Sequence, residues 1–348
     1  MQQKFVTIDI GSSWTKLFLV NLDEQNLLNV ERSVRLPTSL DDLSITINSL
    51  LSQIPKENGP KIFVSNLEGV EKLAKEAKAE FVKEEEATGH LTNFLREADS
   101  DCVVLDAGAS NLGSHFVTEA VGKFLTFPIN EITLENFFGN RRFRPHILPK
   151  NTKELEIEEA YARNYLAECF SGRPKEKKVL VAASGGPISG TPSLVRAALL
   201  ISDILGAGDV AQVFFDREFF LPSFAALLAR YKQLEAANLG AWFEPLGAFV
   251  SLGGSSQLSL DWGYSETQEA ELGPDEISLI PAPTGQRINL SFTLPPAAKE
   301  KKTFSVTGGS LGILLDARAK PLPLSFGQET SRHQVAAWQK EVEKVAVL

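Results

Sequence analysis

Residues 9–16 read DIGSSWTK, and residues 106–113 read DAGASNLG. Each stretch begins with an Asp that directly follows an apolar run, at residues 5–8 and 103–105, and each leads into a second apolar run. Apolar runs on both sides of a short turn rich in Gly and Ser predict two β-hairpins. Backbone N–H groups in such turns can point outward and form a concavity for an anion. Two such turns facing one another predict a phosphate clamp.

Three side chains in these stretches are candidates for binding chemistry. Asp9 and Asp106 could hold Mg²⁺ through its waters, because this ion prefers oxygen ligands and keeps much of its hydration shell. Lys16, at the start of the outgoing strand, could reach the outer phosphates of a nucleotide. Plain alternatives exist, since Asp-x-Gly caps many ordinary hairpins and a lysine is often only solvated. The matching places of the two loops favour the functional interpretation.

Composition limits the classes of protein to consider. The 348 residues exceed the usual size of one hydrophobic core, which predicts two domains. A content of 43% hydrophobic and 23% charged residues is typical of a folded chain. The net charge of −9 argues against a general nucleic-acid or anionic-membrane surface. We expect no signal peptide and no membrane span. The two cysteines lack CxxC spacing, which predicts a cytoplasmic protein without a zinc site or disulfides.

Hydrophobic periodicity indicates a plan of strands and helices that occurs twice. In the first half we expect a three-stranded meander over 4–33, a helix over 40–54, a strand at 61–64 and a connecting helix over 86–98. In the second half we expect strands near 102–130, a buried strand at 179–183, a helix near 192–205, a strand at 211–215 and a helix from about 218. The pattern therefore predicts a duplicated α/β architecture.

The same pattern predicts domain boundaries. Residues 1–98 form the first lobe, and residues 99–254 form the second lobe with an insertion at 131–175. Residues 255–330 are rich in Gly, Pro and alternating apolar positions, which predicts a β-rich subdomain. A helix closes the chain, and residues 331–348 are a candidate to return to the first lobe.

A third loop follows the buried strand at 179–183. It reads SGGPISG over residues 184–190 and precedes a predicted helix. Such a strand–loop–helix junction suits a nucleotide's base, ribose or phosphate, because backbone can approach a ligand closely over glycines. A nucleophilic hydrolase is disfavoured, because none of the four histidines accompanies a GxSxG context.

These loops resemble those of a known superfamily. DIGSSWTK and DAGASNLG resemble the first and second phosphate loops of the actin, Hsp70 and sugar-kinase ATPases, and SGGPISG resembles their adenosine loop. A longer likeness, above all GGSLGILLDAR at residues 308–318 followed by Pro321-Leu322, resembles the glutamate-mutase-associated L proteins. The resemblance spans most of the chain. It implies an α/β, actin-like (ribonuclease-H-like) duplicated two-lobed fold with a β-rich C-terminal subdomain.

Members of that family are encoded beside a coenzyme-B12-dependent glutamate mutase and are thought to be its ATP-dependent accessory or reactivating factor. The resemblance therefore implies ATP and Mg²⁺ as cofactors. By position, the residues that would hold the outer phosphates and the metal are Asp9, Gly11, Ser12, Ser13 and Lys16. Those of the opposite loop are Asp106, which would also hold the metal, Gly108 and Ser110, and those beside the adenosine are Gly185 and Gly186.

The second loop departs from the family pattern, which usually reads Asp-x-Gly-Gly-Ala-Thr-Thr-Asp. Here Ala109 replaces the second Gly, Asn111 and Leu112 replace the two Thr, and Gly113 replaces the closing Asp. The lost carboxylate removes an anchor for a metal-bound water, and Leu112 removes a possible donor to phosphate. These differences predict slow ATP hydrolysis at most.

Two hypotheses follow, from different classes. In the first, the chain binds Mg-ATP between its lobes, changes lobe angle with nucleotide state and acts on a protein partner, which is a B12-dependent mutase or an assembly of like subunits. In the second, it is a degenerate actin-like scaffold that no longer hydrolyses ATP. A small-molecule kinase is disfavoured, because no further catalytic Asp is evident. The basic run at residues 141–144 could contact an acidic partner or be a solvated loop.

Overall fold

The computed structural model describes residues 3–54, 59–96, 100–108, 117–170, 178–236, 243–264, 267–293 and 301–345. Three β-sheets and ten α-helices lie within these ranges. Two of the sheets mix parallel and antiparallel strands and carry helices on their faces. The prediction of an α/β fold with two lobes is therefore confirmed.

The first sheet contains five strands in the order β3-β2-β1-β4-β5. Their bounds are Gln3–Ile10 for β1, Trp14–Leu22 for β2, Leu28–Pro37 for β3, Lys61–Ser65 for β4 and Glu80–Lys83 for β5. The first three strands form the predicted antiparallel meander, and β4 and β5 run parallel to β1. Three helices belong to this lobe: α1 at Leu43–Leu51, α2 at Val70–Glu76 and α3 at Glu84–Leu95. This strand order is the ribonuclease-H-like arrangement.

Both faces of this sheet are covered, which explains why six of the eight positions of β1 are buried. Phe5 lies on one face, in a core that also contains residues of α3. Val6 and Ile8 lie on the other face, in a core that includes residues of α1 and α2. A strand buried on two faces shows a continuous apolar run rather than alternation.

The second sheet contains six strands in the order β12-β15-β9-β8-β7-β6. Their bounds are Ser100–Ala107 for β6, Lys178–Gly185 for β7, Val210–Asp216 for β8, Phe243–Ser251 for β9, Ile277–Ile280 for β12 and Gly312–Asp316 for β15. Strands β6, β7 and β8 are parallel, as β1, β4 and β5 are in the first sheet, whereas β9 runs antiparallel to β8. The two sheets therefore share their parallel half.

The region after β6 differs from the sequence prediction. Strands were expected up to residue 130, but α4 spans Thr118–Gly122 and no strand occurs within the described residues 117–130. Val121, Phe124 and Leu125 are buried, and their i, i+3, i+4 spacing is that of a helix rather than of a strand, which explains the error. The expected outgoing strand of the second hairpin, at 115–117, lies outside the described residues except for its last. The insertion contains two helices, α5 at Glu131–Phe143 and α6 at Thr152–Phe170.

The remaining helices follow strands of the second sheet or close the chain. They are α7 at Gly186–Ser189, α8 at Leu194–Asp203, α9 at Leu221–Arg230 and α10 at Glu329–Val345, with a 3-10 helix at Lys232–Ala236. Helix α9 packs against α3, β1 and β4 of the first lobe. Phe220 and Phe224 of this region share a buried core with Phe5 and Phe18. The two lobes are therefore joined by an apolar core.

The third sheet contains four strands in the order β11-β10-β13-β14. Their bounds are Ser256–Asp261 for β10, Gln268–Leu272 for β11, Arg287–Thr293 for β13 and Lys301–Thr307 for β14. The predicted subdomain at 255–330 is only partly seen, because β12 and β15 from the same range complete the second sheet. Strand β15 is buried at all five positions, so it requires neighbours on both faces. The third sheet and the second also share one apolar core.

The C-terminal helix α10 packs against α8 and β12. Val335, Trp338 and Val342 join the apolar core of the second lobe. The predicted return of residues 331–348 to the first lobe is therefore wrong for the part that the structure describes. The indole ring of Trp338 lies 4.8 Å from Arg318, measured from ring centroid to guanidinium carbon.

A network of buried charges lies beside this ring. Arg318 donates to both carboxylate oxygens of Asp316, at 2.8 and 2.7 Å, and approaches Asp203 at 2.8 Å. Lys320 pairs with Asp316 at 2.9 Å, and Arg163 pairs with Asp203 at 2.6 Å. Burial alone raises the pKa of Asp316, but Lys320 and Arg318 outweigh it and hold that pKa below its ordinary value. The network ties α6, α8 and β15 together.

Two further sequence expectations concern membranes and cysteines. Across the described ranges, none of the helices combines the length and the apolar character needed to cross a membrane. Cys102 and Cys169 are both free thiols. The structure therefore agrees with the absence of a disulfide between them.

Candidate functional site

The turn between β1 and β2 positions the first pair of candidate residues. Asp9 and Lys16 are direct partners in the register of the two strands. The Lys16 ammonium donates to the Asp9 carboxylate, with 2.7 Å between Nζ and Oδ2. Burial lowers the pKa of Lys16, but Asp9 first, and then Asp106 and Asp216, outweigh that effect and raise it. Lys16 is therefore a cation that Asp9 holds in place and that the charges of Asp106 and Asp216, in the other lobe, stabilise.

The carbonyl oxygens of this turn are occupied by donors from neighbouring segments. Thr38 donates its hydroxyl to the Gly11 carbonyl at 2.7 Å, and its N–H to the Ser13 carbonyl at 3.0 Å. Ser65 donates its hydroxyl to the Ile10 carbonyl at 2.6 Å. The carbonyl oxygens of Ile10, Gly11 and Ser13 are thus occupied, and the turn presents N–H donors. It is suited to an anion rather than to a cation.

Two serines supply those donors. The N–H groups of Ser12 and Ser13 have no acceptor among the described residues. The Ser13 hydroxyl is buried, and within the same ranges it has no hydrogen-bond partner. A buried polar group without a partner costs about 1–3 kcal/mol. A bound anion would satisfy all three donors.

Asp106 lies at the end of β6, in the opposite lobe. Burial raises its pKa to about 6, with Lys16 opposing the shift and Asp9 and Asp216 adding to it. These mutual effects indicate that the carboxyl ends of β1 and β6 approach one another. Gly108 is the first residue after β6, whereas Ser110 lies outside the described residues.

The third loop adjoins the second, but its predicted loop structure is corrected. Strand β7 continues through Gly185, and α7 begins at Gly186. Gly185 has a φ of +103°, and a Cβ there would lie 2.5 Å from the backbone of Ala107. Glycine is therefore needed so that the ends of β6 and β7 can meet. The Ser189 hydroxyl, on α7, is a second buried group without a partner in the described part.

Asp216, at the end of β8, belongs to the site although it was not predicted. Its carboxylate accepts hydrogen bonds from the Ser184 hydroxyl at 2.8 Å and from the N–H groups of Phe220 and Leu221 at 3.0 and 2.7 Å. Burial raises its pKa, and these donors oppose the shift. Its sequence signal was the same as that of Asp9, an Asp directly after an apolar run.

Glu84, the first residue of α3, is the second residue that the sequence did not indicate. Burial raises its pKa to about 8, and Asp106 and Asp9 add to the shift. Asn66 donates to its carboxylate at 3.2 Å. Three successive glutamates at a helix start are typical of a solvated first turn, so no sequence signal distinguished Glu84.

Phe219 covers the cation of the site. Its ring centroid lies 5.5 Å from the Lys16 ammonium and 5.9 Å from the Arg35 guanidinium carbon. The backbone of Phe219 is left-handed, with a φ of +59°, a conformation that is uncommon for a bulky residue. A Cβ added at Gly190 would lie 3.9 Å from the tip of the ring. The ring therefore lies between the first turn and the end of α7.

The structure describes nine of the ten predicted residues, all except Ser110. They lie in or beside the β1–β2 turn (Asp9, Gly11, Ser12, Ser13 and Lys16), at the end of β6 (Asp106 and Gly108), and where β7 passes into α7 (Gly185 and Gly186). Among the described residues, no group of three or more acidic, His or Cys side chains is arranged to hold a metal ion. Asp9 and Asp106 therefore fit Mg²⁺ only if waters or ligand oxygens complete its coordination.

The sequence matches no protein-family model and no curated protein sequence. Several solved structures are similar at low identity. Component A of the (R)-2-hydroxyglutaryl-CoA dehydratase of Acidaminococcus fermentans is 10% identical, covers 67% of this chain and 99% of its own, and gives a TM-score of 0.36. A ROK family protein of Streptococcus pneumoniae is 14% identical, with coverage of 66% and 100% and a TM-score of 0.33.

A Ppx/GppA family member of Aquifex aeolicus is also similar, at 14% identity over 52% of this chain and 66% of its own, with a TM-score of 0.29. TM-scores this low do not support conclusions about function. The assignment of the site therefore depends on the residues described above.

Proposed function

We propose that the chain binds a nucleotide, ATP, with Mg²⁺ in the cleft between its lobes. One observation carries the proposal: the ends of β1, β6 and β8 bring the charges of Asp9, Asp106 and Asp216 to bear on the Lys16 ammonium. The same turn contains the Ser13 hydroxyl, which is buried and has no partner among the described residues. A donor-rich turn beside a fixed lysine suits a polyphosphate, and nearby carboxylates suit the cation that accompanies it.

The residues take separate roles in this proposal. The N–H groups of Ser12 and Ser13 and the Ser13 hydroxyl donate to the outer phosphates, beside Lys16. Asp9 and Asp106 hold the metal through its waters. Gly11 and Gly108 keep the first turn and the end of β6 free of side chains, and Gly185 and Gly186 leave room beside the adenosine. Ser110, outside the described residues, remains a predicted phosphate-loop residue. The metal, when bound, neutralises phosphate charge.

The finer function is an ATP-dependent accessory or reactivating factor of a B12-dependent mutase-type partner. Its support is the likeness of residues 308–318 to the glutamate-mutase-associated L proteins. Helix α9 packs on β1 and β4 of the first lobe, and its Phe224 ring lies 5.7 Å from the ring of Phe243 on β9 of the second. A change of lobe angle with nucleotide state would therefore involve this helix. In this proposal ATP hydrolysis is slow at most, and the chain acts on its partner by binding it in a nucleotide-dependent way. Surface plasmon resonance with a purified B12-dependent glutamate mutase, with and without Mg-ATP, tests that role.

A second candidate is an actin-like scaffold that no longer uses nucleotide. Two observations favour it. Asp9 already neutralises the Lys16 ammonium, and the Phe219 ring covers it. A triphosphate would have to compete with the carboxylate and displace the ring.

Calorimetric titration with Mg-ATP separates the two candidates. The informative variant is Ser13→Ala, which removes the buried hydroxyl without leaving a new unpaired group, so the fold is expected to be as stable as before or slightly more so. Loss of one phosphate donor is expected to weaken binding about tenfold. Ser251→Ala is the matched control, because Ser251 also has a buried hydroxyl without a described partner but lies at the opposite end of the β8–β9 pair from Asp216.

Binding that Ser13→Ala weakens and Ser251→Ala leaves unchanged supports the nucleotide cleft. Absence of binding at millimolar Mg-ATP overturns it and supports the scaffold. Equal binding by both variants and the unmodified chain would place the nucleotide elsewhere.

A further inference from the structure

Helix α5 carries an exposed stripe that the nucleotide proposal does not use. One face of the helix is anchored. Leu134 is buried, and Phe137 and Phe138 pack against the apolar core of the second lobe. Arg141 pairs with Glu158 of α6. The opposite face is exposed to solvent along its whole length. Its residues, spaced at three and four positions, are Ile132, Glu135, Asn136, Gly139, Asn140 and Phe143.

The apolar ends of this stripe are unusually exposed. Ile132 has 70% of its surface exposed and Phe143 has 88%. They are eleven residues apart, so they point in nearly the same direction from the helix axis. Leu148, just beyond the helix, is also exposed. Several large apolar side chains exposed in one region mark a protein-interaction surface more often than isolated ones do.

Gly139 lies inside the helix and in the middle of the stripe. A glycine in a helix interior costs roughly 1 kcal/mol relative to alanine. A Cβ built at this position meets nothing within 4 Å, so no contact within the chain requires glycine there. Glycine at the centre of an exposed stripe lets another backbone approach closely.

We propose that α5 is the interface of a homodimer in which two copies of the stripe pack antiparallel about a twofold axis. The twofold axis crosses the exposed stripe at the midpoint of the helix, at the height halfway between residues 137 and 138. Ile132 and Phe143 are equally far from that midpoint on either side, so each covers the other residue of the second copy. Asn136 and Gly139 are equally placed as well, and Gly139 permits close approach at the centre. The stripe is self-complementary, as a twofold interface requires.

Charge supports a second copy as the partner. Glu131, Glu135 and Arg142 are exposed and lie on the same flank of the stripe. The two glutamates are four residues apart, a like-charge spacing that destabilises a helix on its own. In the antiparallel pair, Arg142 of the second copy lies level with the gap between them. The repulsion within each helix is therefore relieved by a cation from the other copy.

Sedimentation velocity over a range of protein concentrations tests the interface. The unmodified chain is expected to show a monomer–dimer equilibrium. Gly139→Gln is expected to raise the dissociation constant at least about tenfold, because its side chain separates the helices while fitting the monomer. Gly89→Gln is the matched control, since Gly89 is also an exposed helix-interior glycine, on α3, with open space around its Cβ position. Circular dichroism should show both variants folded.

A charge exchange gives the second arm of the test. Arg142→Glu alone, and Glu131→Arg with Glu135→Arg in one chain, each place like charges together and should abolish dimers. An equimolar mixture of these two proteins should form heterodimers, because each flank then meets its opposite charge. A chain that stays monomeric at about 0.2 mM would overturn the proposal, since antiparallel association then has no measurable affinity. Dimers that Gly139→Gln and both charge variants leave intact would overturn it too.

Discussion

The Lys16 ammonium lies 2.7 Å from the Asp9 carboxylate, and the two residues face one another across the first pair of strands. Antiparallel register fixes this pair, because a slip of one strand by one residue would move its side chain to the other face of the sheet. The cation is thus positioned before any ligand arrives. Of its three N–H donors, the bond to Asp9 uses one.

Glu84→Gln is expected to stabilise the protein at alkaline pH. The folded-state pKa of Glu84 is raised to about 8, so the folded chain keeps a proton there that the unfolded chain loses above about 4.5. Stability therefore falls as pH rises from about 4.5 to 8, because the unfolded state binds fewer protons than the folded state in that window. Removing the buried charge should raise the free energy of unfolding at pH 8.5 by about 2 kcal/mol, and leave it nearly unchanged at pH 5.

Urea unfolding at the two pH values measures this difference. Glu85→Gln, which changes the exposed neighbouring carboxyl, is the control and should have the same small effect at both. An equal effect of Glu84→Gln at pH 5 and pH 8.5 would show that its carboxyl is not desolvated.

Mg-nucleotide binding is expected to strengthen as pH rises through about 6. The raised pKa of Asp106 keeps this carboxyl neutral at pH 5, where it attracts a cation poorly. Calorimetry should show about tenfold tighter binding at pH 7.5 than at pH 5. Asp106→Asn should lose most of that pH dependence, and Glu84→Gln should keep a transition near pH 6. Retention of the full dependence in Asp106→Asn would assign it to another group.

Asp216→Ala is expected to cost about 3 kcal/mol of unfolding free energy. The change leaves three buried donors without their acceptor, the N–H groups of Phe220 and Leu221 and the hydroxyl of Ser184. Asp42→Ala is a matched control, because Asp42 caps α1 at the surface, where water replaces it, and its loss should cost about 1 kcal/mol. Chemical denaturation compares the two. Similar losses would mean that water reaches the start of α9.

Arg318→Met is expected to destabilise the second lobe by about 3–5 kcal/mol, because it leaves Asp316 and Asp203 with less compensation in a buried site. Arg217→Met removes an exposed pair with Glu244 and should cost less than about 1 kcal/mol. Denaturant midpoints compare the two variants. Adding Asp316→Leu to Arg318→Met should recover part of the loss, and a further loss of equal size would contradict a coupled network.

The first hairpin of the first lobe could be predicted from the sequence because the residues that specify it are adjacent in the chain. The alternating and continuous apolar runs of β1 and β2, with DIGSSWTK between them, specify both the hairpin and the position of Asp9 opposite Lys16. The sequence after Asp106 has a similar Gly- and Ser-containing motif, but Val121, Phe124 and Leu125 then follow a helical period, and the strand predicted there was wrong.

The missed parts depend on contacts between distant segments. Glu84 becomes a site residue only because the start of α3 approaches Asp106, which a run of glutamates does not reveal. The sequence analysis placed β15 in a separate β-rich subdomain. In the structure it lies between β9 and β12 and belongs to the second sheet. Parallel pairing of β15 with β9 has no hairpin signal, because about sixty residues separate them.

The placement of β15 and Arg318 has a consequence for synthesis. The strands of the first sheet are complete when residue 83 has been made, and α9, which covers one of its faces, is complete at residue 230. The second sheet lacks β15, which joins β9 to β12, and Asp203 lacks Arg318, until residue 318 has left the ribosome. We therefore expect the first lobe to gain protease resistance on nascent chains long before the second, which must wait for nearly the whole chain. Chains stalled near residue 255 and near the C-terminus, treated with protease, would show whether the two lobes mature at these different times.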